Sequence, residues 1–313
     1  MEELQKTNRR QFIKAGSIIA ASAALSAYSL DALAAGDVQR LTILHTNDVH
    51  SRIEPFPMDG SKFQGLGGAA RRSALIKKIR FEQDNVLLLD AGDIFQGTPY
   101  FNLFGGELEL KLMSEMGYDA ATMGNHDFDN GIEGFYKQLP NANFPILLSN
   151  YDFSNTVMNK STLPYKVFNK KGLKVGVFGL GIELAGLVDP RNYKETVYLD
   201  PIKKGNETAS ILKNELNCDL VICLSHLGYS YKENKVSDKV LAAQTRNIDL
   251  VIGGHTHTFL DQPADIKNLD GQITTISQVG WAGINLGRID YYFEKRSGKK
   301  TKQASQYQIT NTI

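Results

Sequence analysis

Six histidines occur in 313 residues, and all six stand in short stretches crowded with other metal-binding or proton-moving side chains. The densest stretch is Gly124-Asn125-His126-Asp127-Phe128-Asp129. His45-Thr46-Asn47-Asp48-Val49-His50, Asp90-Ala91-Gly92-Asp93 and Gly254-His255-Thr256-His257 resemble it, and Ser225-His226 is a smaller case. Histidines used as filler would be scattered. Their confinement to the ends of apolar runs predicts that all six converge on one site. A lone histidine at a strand end is usually structural, but five such positions with matched acids reverse that expectation. Asp, His and Asn form a hard-to-borderline donor set, suited to Zn, Mn, Fe or Co rather than to Ca alone.

Asp48 and His50 are two apart, so an extended segment points both to one side, and His255 and His257 repeat the spacing. Asp93, Asn125 and His226 follow three other strands. Asp48, His50, Asp93, Asn125, His226, His255 and His257 are too many ligands for one tetrahedral ion and the right number for two ions sharing a carboxylate. Two divalent ions, less two carboxylates and a bridging hydroxide, leave a core about one charge positive, which favours an anionic substrate such as a phosphate. His126 differs from the rest because Asp129 lies three residues on. A carboxylate there fixes the imidazole tautomer and favours its protonated form, so His126 could stabilise phosphoryl oxygens or protonate a leaving group.

Other residues near these stretches read as supports. Asp90, His45 and Asn47 stand behind the ligands, and Asp127 points away to bind backbone. Arg71-Arg72 either steers phosphate or is solvated or salt-bridged. Gly179-Leu180-Gly181 lacks the third glycine of a dinucleotide site and reads as a turn. The lone Trp281, between Gly280 and Gly283, reads as packing rather than a base platform.

The elements that must position these residues alternate apolar strands with amphipathic helices. Strands are expected at 41–45, 86–90, 120–123, 146–149, 175–180, 220–224, 250–252, 274–278 and 285–293. Helices are expected at 68–81, 107–116, 132–138, 202–216 and 239–246. Most strands are continuous apolar runs, as in sheets covered on both faces. The alternation argues for an α/β architecture, with the motifs just past the C-terminal ends of strands, where such folds bind ligands. Asn150–Lys160 reads as a polar surface loop and not a domain boundary, so 35–313 is one domain.

Residues 1–34 read as a leader: Asn8-Arg9-Arg10-Gln11-Phe12-Ile13-Lys14 is a twin-arginine pattern, followed by an apolar run from Ala15 to Leu30 and Ala32-Leu33-Ala34. Periplasmic or other export is expected, with no membrane anchor after cleavage. Asn8 stands where Ser or Thr is usual, so Sec export stays open. Without the leader's four basic and three acidic residues, the chain's 35 basic and 34 acidic residues fall to equal numbers. No basic field is left to attract a nucleic acid polymer. Cys218 and Cys223 end a predicted strand on opposite faces and read as buried thiols, not a disulfide.

The ordered motifs resemble the pattern D-x-H…G-D…G-N-H-[DE]…H…G-H-x-H of the calcineurin-like metallophosphoesterases. It is matched by Asp48/His50, Gly92-Asp93, Gly124-Asn125-His126-Asp127, His226 and Gly254-His255-Thr256-His257. The stretches around Asp48, Asp93 and His126 look most like the catalytic domain of the 5′-nucleotidase family. The resemblance implies a four-layer α/β/β/α sandwich. It also implies one metal on Asp48, His50, Asp93 and His257, a second on Asp93, Asn125, His226 and His255, and a His126/Asp129 catalytic dyad. The expected activity is hydrolysis of nucleotide 5′-phosphate esters by a metal-bridging hydroxide. A cyclic phosphodiesterase, a nucleotide-sugar pyrophosphatase, a thiosulfohydrolase and a non-catalytic metal-binding partner subunit are the alternatives. The family's substrate-specificity domain would begin about where this sequence ends, so a separately encoded specificity subunit is an expected possibility.

Overall fold

Strand β1 (Val38–Thr46) founds a sheet because its inward and outward residues are both apolar: Leu41 and Ile43 face one core, Leu44 another. The computed structural model describes residues 37–295 and 297–311. The expected leader lies outside those residues. β1 pairs in parallel with β2 (Val86–Asp90), which pairs with the two-residue β3 (Ala120–Ala121). On its other side β1 runs antiparallel to β12 (Asn285–Glu294), with β13 (Lys300–Gln308) beyond. The second sheet has a parallel centre, β6 (Leu173–Leu180), β8 (Leu220–Ser225), β9 (Leu250–Gly253) and β11 (Ile273–Ser277). Antiparallel edges β5 (Tyr165–Lys170) and β10 (Ala264–Lys267) close it. Two-residue strands β4 (Tyr151–Asp152) and β7 (Val197–Tyr198) pair apart from both.

Three apolar cores establish the layering. One joins the sheets: Leu41, Ile43, Leu87 and Leu89 meet Val175, Ile222, Leu250 and Ile252. A second packs Leu44 and Leu88 beneath α1 (Ala69–Glu82), α3 (Glu107–Met116) and α4 (Gly131–Gln138). A third packs Phe178, Val221 and Val251 beneath α6 (Pro201–Ser210) and α7 (Asp238–Gln244). Short α2 (Pro99–Phe104) and α5 (Pro190–Tyr193) complete the α-helices among the described residues. The fold is a single α/β/β/α domain. No helix among the described residues is long and apolar enough to cross a membrane.

Local chemistry sets the element ends. In α1, Ala69, Arg72, Leu75, Ile76 and Ile79 recur at helical spacing and are buried. Gly106 and Gly117 flank α3, and Gly117 takes a left-handed conformation with its N–H turned back to Met113 and Ser114 carbonyls. Asp200 caps α6 through the Ile202 and Lys203 amides, with Pro201 at the first position.

Several expectations need correction. Residues 146–149 form no strand; Ile146 and Leu147 make isolated bridges to Ala121 and Leu163. Asn150–Lys160 is a surface loop only in part: Asp152, Ser154, Asn155, Val157, Asn159 and Lys160 are exposed, but it holds β4 and buries Asn150, Tyr151, Phe153 and Met158. Cys218 and Cys223 are free buried thiols, but they share one core rather than opposite faces, because Cys218 precedes the strand and escapes its alternation. Burial raises both thiols.

Candidate metal centre and active site

The loops after β1, β2 and β3 of one sheet and after β8 and β9 of the other meet at a common edge. They bring together Asp48 and His50, Asp93, Asn125, His226, and His255 and His257. The expected extended geometry does not carry Asp48 and His50 there. Asp48, His50, Asp93, His255 and His257 all have left-handed backbones, with φ of 50, 50, 55, 72 and 52°. Such positions cost on the order of 1–3 kcal/mol each and persist only where the surroundings hold them. Here the loops interlock: Asp48 N–H donates to Gly92 O, His50 N–H to Asp93 O and Ser51 N–H to Ile94 O, all at 2.9–3.0 Å. The His255 amide donates to Asp48 Oδ1 at 2.9 Å.

Two ligand-type groups form. Asp48, His50, Asp93 and His257 each offer an atom within 4.8 Å of one another, and so do Asp93, His226 and His255. Asn125 Oδ1 lies 2.8 Å from His255 Nδ1, which adds it to the second group. Asp93 belongs to both. Nε2 of His50 and His257 are 3.0 Å apart. Glycines let these groups close. A Cβ on Gly124 would strike Asp93 Oδ1 and the His226 ring, and one on Gly92 would lie 2.6 Å from the Gly124 nitrogen.

The donor chemistry fits divalent cations. Asp48 and Asp93 are buried carboxylates whose ion-pair partners among the described residues are all histidines. Buried carboxylates with no fixed cation are costly. Nε2 of His226 is buried 3.1 Å from Asp93 Oδ2 without an aligned hydrogen bond, an atom suited to a metal. Burial pushes His226 down, but Asp93 and Asp48 outweigh it and raise the imidazole to about 10. Burial also works against ionised Asp93, and His226 and His50 overcome it to hold the carboxyl below the usual range. His255 is pushed down to about 4 and His50 is also lowered, both chiefly by burial.

His126 stands at the mouth. Its Nδ1 is 2.8 Å from Asp129 Oδ2, and its ring lies 5.2 Å from that of His50. The Asp129 hydrogen bond raises its pKa against partial burial. Its amide donates to Asp93 Oδ1 at 2.8 Å, so the dyad is tied to the shared carboxylate.

The supports behave largely as expected. Asp127 accepts from the amides of Asp93, Ile94, Phe95 and Gly124 at 2.8–3.0 Å. Asp90 accepts from Thr46 Oγ1 and the Gly92 amide. Asn47 donates to Asp48 Oδ2 and Gly280 O and accepts from Val279 N–H. Arg71 donates to Gly65 O and Arg72 is buried. The convergence of all six histidines is wrong for one. His45 is fully buried between the sheets, 3.1 Å from Ser277 Oγ, and burial lowers it to about 4. Trp281 does more than pack: its indole stacks on the His257 ring at 5.5 Å and 5°. An aromatic flanked by glycines one loop past β11 carries no sequence sign of that contact.

Fold and site together are two sheets with seven ligand-type side chains gathered at their shared edge. The chain belongs to the calcineurin-like phosphoesterase family, which matches residues 41–259. It is 36% identical to the snake venom 5′-nucleotidase of Gloydius brevicauda over 84% of this chain and 47% of that protein. It is 39% identical to the 5′-nucleotidase of Mus musculus over 89% of this chain and 51% of the relative. The chain thus spans about half the length of these relatives. The crystal structure of a 5′-nucleotidase precursor from Thermus thermophilus superposes with a TM-score of 0.79 at 29% identity, covering 87% of this chain and 55% of that one.

Proposed function

We propose that this chain is a dinuclear-metal phosphohydrolase acting on nucleotide 5′-phosphate esters. The observation that carries the reading is the sharing of buried Asp93 between two donor groups, with His126 and Asp129 at their mouth. Asp48, His50, Asp93 and His257 would hold one ion, and Asp93, Asn125, His226 and His255 the other. Zn, Mn, Fe and Co all suit these donors. When bound, the two ions supply positive charge against the phosphoryl group and a hydroxide nucleophile near neutral pH.

The chain's own residues do the rest. Asp129 holds the His126 proton on Nδ1 and leaves Nε2 to face the substrate. The raised pKa of His126 keeps a proton available for the phosphoryl oxygens or the departing ester oxygen. Asn47 and Asp127 keep Asp48 and Asp93 in register by hydrogen bonds to their loops. Similarity to 5′-nucleotidases of about twice this length supports the nucleotide substrate. The twin-arginine pattern of residues 1–34 supports export, with 35–313 as the catalytic domain.

The test is a panel of AMP, cyclic nucleotide, nucleotide-sugar, thiosulfate-ester and aryl phosphate substrates, with metal analysis on the same protein. Turnover of AMP by protein holding two ions per chain is expected. Two bound ions with turnover of none of these substrates would leave a metal-binding module and end the hydrolase reading.

A further inference from the structure

We propose that Trp281 is a positioning residue that fixes the ring plane of His257, and so sets the affinity of one of the two ions. The inference rests on the reading of His257 as a ligand. The two buried histidine ligands are braced through their second ring nitrogen. His226 Nδ1 lies 2.7 Å from Ala91 O, and His50 Nδ1 lies 3.3 Å from Phe95 O. Such a brace fixes the tautomer and the ring orientation of a metal-binding histidine. His257 has none. Its Nε2 faces the site, 3.0 Å from His50 Nε2 and 3.4 Å from Asp48 Oδ1. Among the described residues its Nδ1 has no hydrogen bond. Its side chain is 40% exposed, against 7% for His50 and none for His226. An imidazole that open, on a left-handed backbone, would sample several rotamers if nothing else restrained it.

The indole supplies the restraint. It lies 5.5 Å from the His257 ring and only 5° from parallel, so the imidazole cannot turn about its long axis without losing the stack. The indole is itself held. The rings of Phe56 and Phe63 lie steeply inclined to it, at 5.7 and 6.1 Å, and the Arg52 guanidinium covers Phe56 at 4.2 Å. Its backbone is tied to the loop that supplies another ligand. The Asn47 side-chain amide bonds Gly280 O and the Val279 N–H, and the Ala282 N–H donates to Asp48 O at 2.7 Å. Asp48, Trp281 and His257 are therefore set against one another as a unit, with stacking in the place that a backbone carbonyl takes for His50 and His226.

The chain has one tryptophan, so the unaltered protein reports on this contact. Metal-free protein is titrated with zinc, with occupancy by dialysis and elemental analysis and indole emission followed in parallel. Emission should change in step with one ion and be unmoved by the other. Trp281→Leu should weaken one ion by about tenfold, in the range typical for losing a support behind a metal ligand, and leave the other within about twofold. Trp281→Phe keeps an aromatic face and should restore the lost affinity. Both ions bound by Trp281→Leu as tightly as by wild type would overturn the proposal. So would equal losses in the Leu and Phe variants, or indole emission that stays constant while both ions bind. If Trp281→Leu does not fold, the wild-type emission and Trp281→Phe decide. His257→Ala separates the underlying reading: it should bind one ion with no emission change. Two ions held by His257→Ala as in wild type would remove His257 from the ligands, whatever the Trp281 variants show.

Discussion

Replacing Asp127 by Asn tests whether one buried carboxylate holds the site's loops in place. Asp127 is fully buried and touches no candidate ion directly. Oδ1 accepts the Ile94 and Phe95 amides, and Oδ2 accepts those of Asp93 and Gly124. An asparagine offers one oxygen, so either rotamer leaves two N–H donors facing an NH₂ group. Each buried unsatisfied donor costs ~1–3 kcal/mol, or ~2–6 kcal/mol for the pair. One effect opposes this. Burial and the Asp93 charge push Asp127 up to about 7, against the amides that pull it down, and the neutral variant escapes that repulsion. A net loss of ~2–4 kcal/mol is expected in metal-free protein, a large part of a total of ~5–15 kcal/mol. The loops concerned carry Asp93 and Asn125, so both ions should also bind more weakly. Urea unfolding in chelator, with metal content measured separately, checks both. A variant within ~0.5 kcal/mol of wild type that retains two tightly bound ions would refute the bracing role.

Three further outcomes are expected. Asp93→Ala removes a donor from each group and should lose both ions and all turnover; elemental analysis showing two ions retained would remove Asp93 as the bridge. His126→Asn should keep both ions while turnover falls by ~10²–10⁴, the usual worth of a positioned acid or base; metal loss, or wild-type turnover, would end the dyad role. His45 gives a pH dependence. Above about pH 6.5 the ring is neutral folded and unfolded, and below it the unfolded chain takes a proton that the folded chain refuses until about 4. Stability should therefore drain as pH falls through that window, by ~2 kcal/mol between pH 7 and 5. Chelator-treated His45→Gln should lack that part of the slope, and an unchanged slope in urea melts would refute it.

What could be read in the sequence follows from where the physics is local. Asp48, Asp93, Asn125, His226 and His255 each follow an apolar run, and a parallel sheet delivers the ends of such runs to one edge whatever else happens. Glycines on both sides of Glu107–Met116 fix that helix from neighbouring residues alone. Lys300–Gln308 shows the opposite case. It has Ala304 and Tyr307 as its only apolar residues, and it is a strand because β12 offers it an edge, with lysines that suit an outer position. Tyr151, Phe153 and Met158 are hidden among polar neighbours in the same way, and only tertiary packing makes them core. The site divides along the same line. Residue types and order reveal the donors, but not the left-handed turns at Asp48, His50 and Asp93, because those turns are imposed by hydrogen bonds between loops far apart in the chain. His45 makes the point within one strand: its type matches the candidate ligands, but strand alternation turns it between the sheets with Leu41 and Ile43 and away from the candidate metal centre. Residue type nominates a ligand, and strand parity and loop interlock decide whether it arrives.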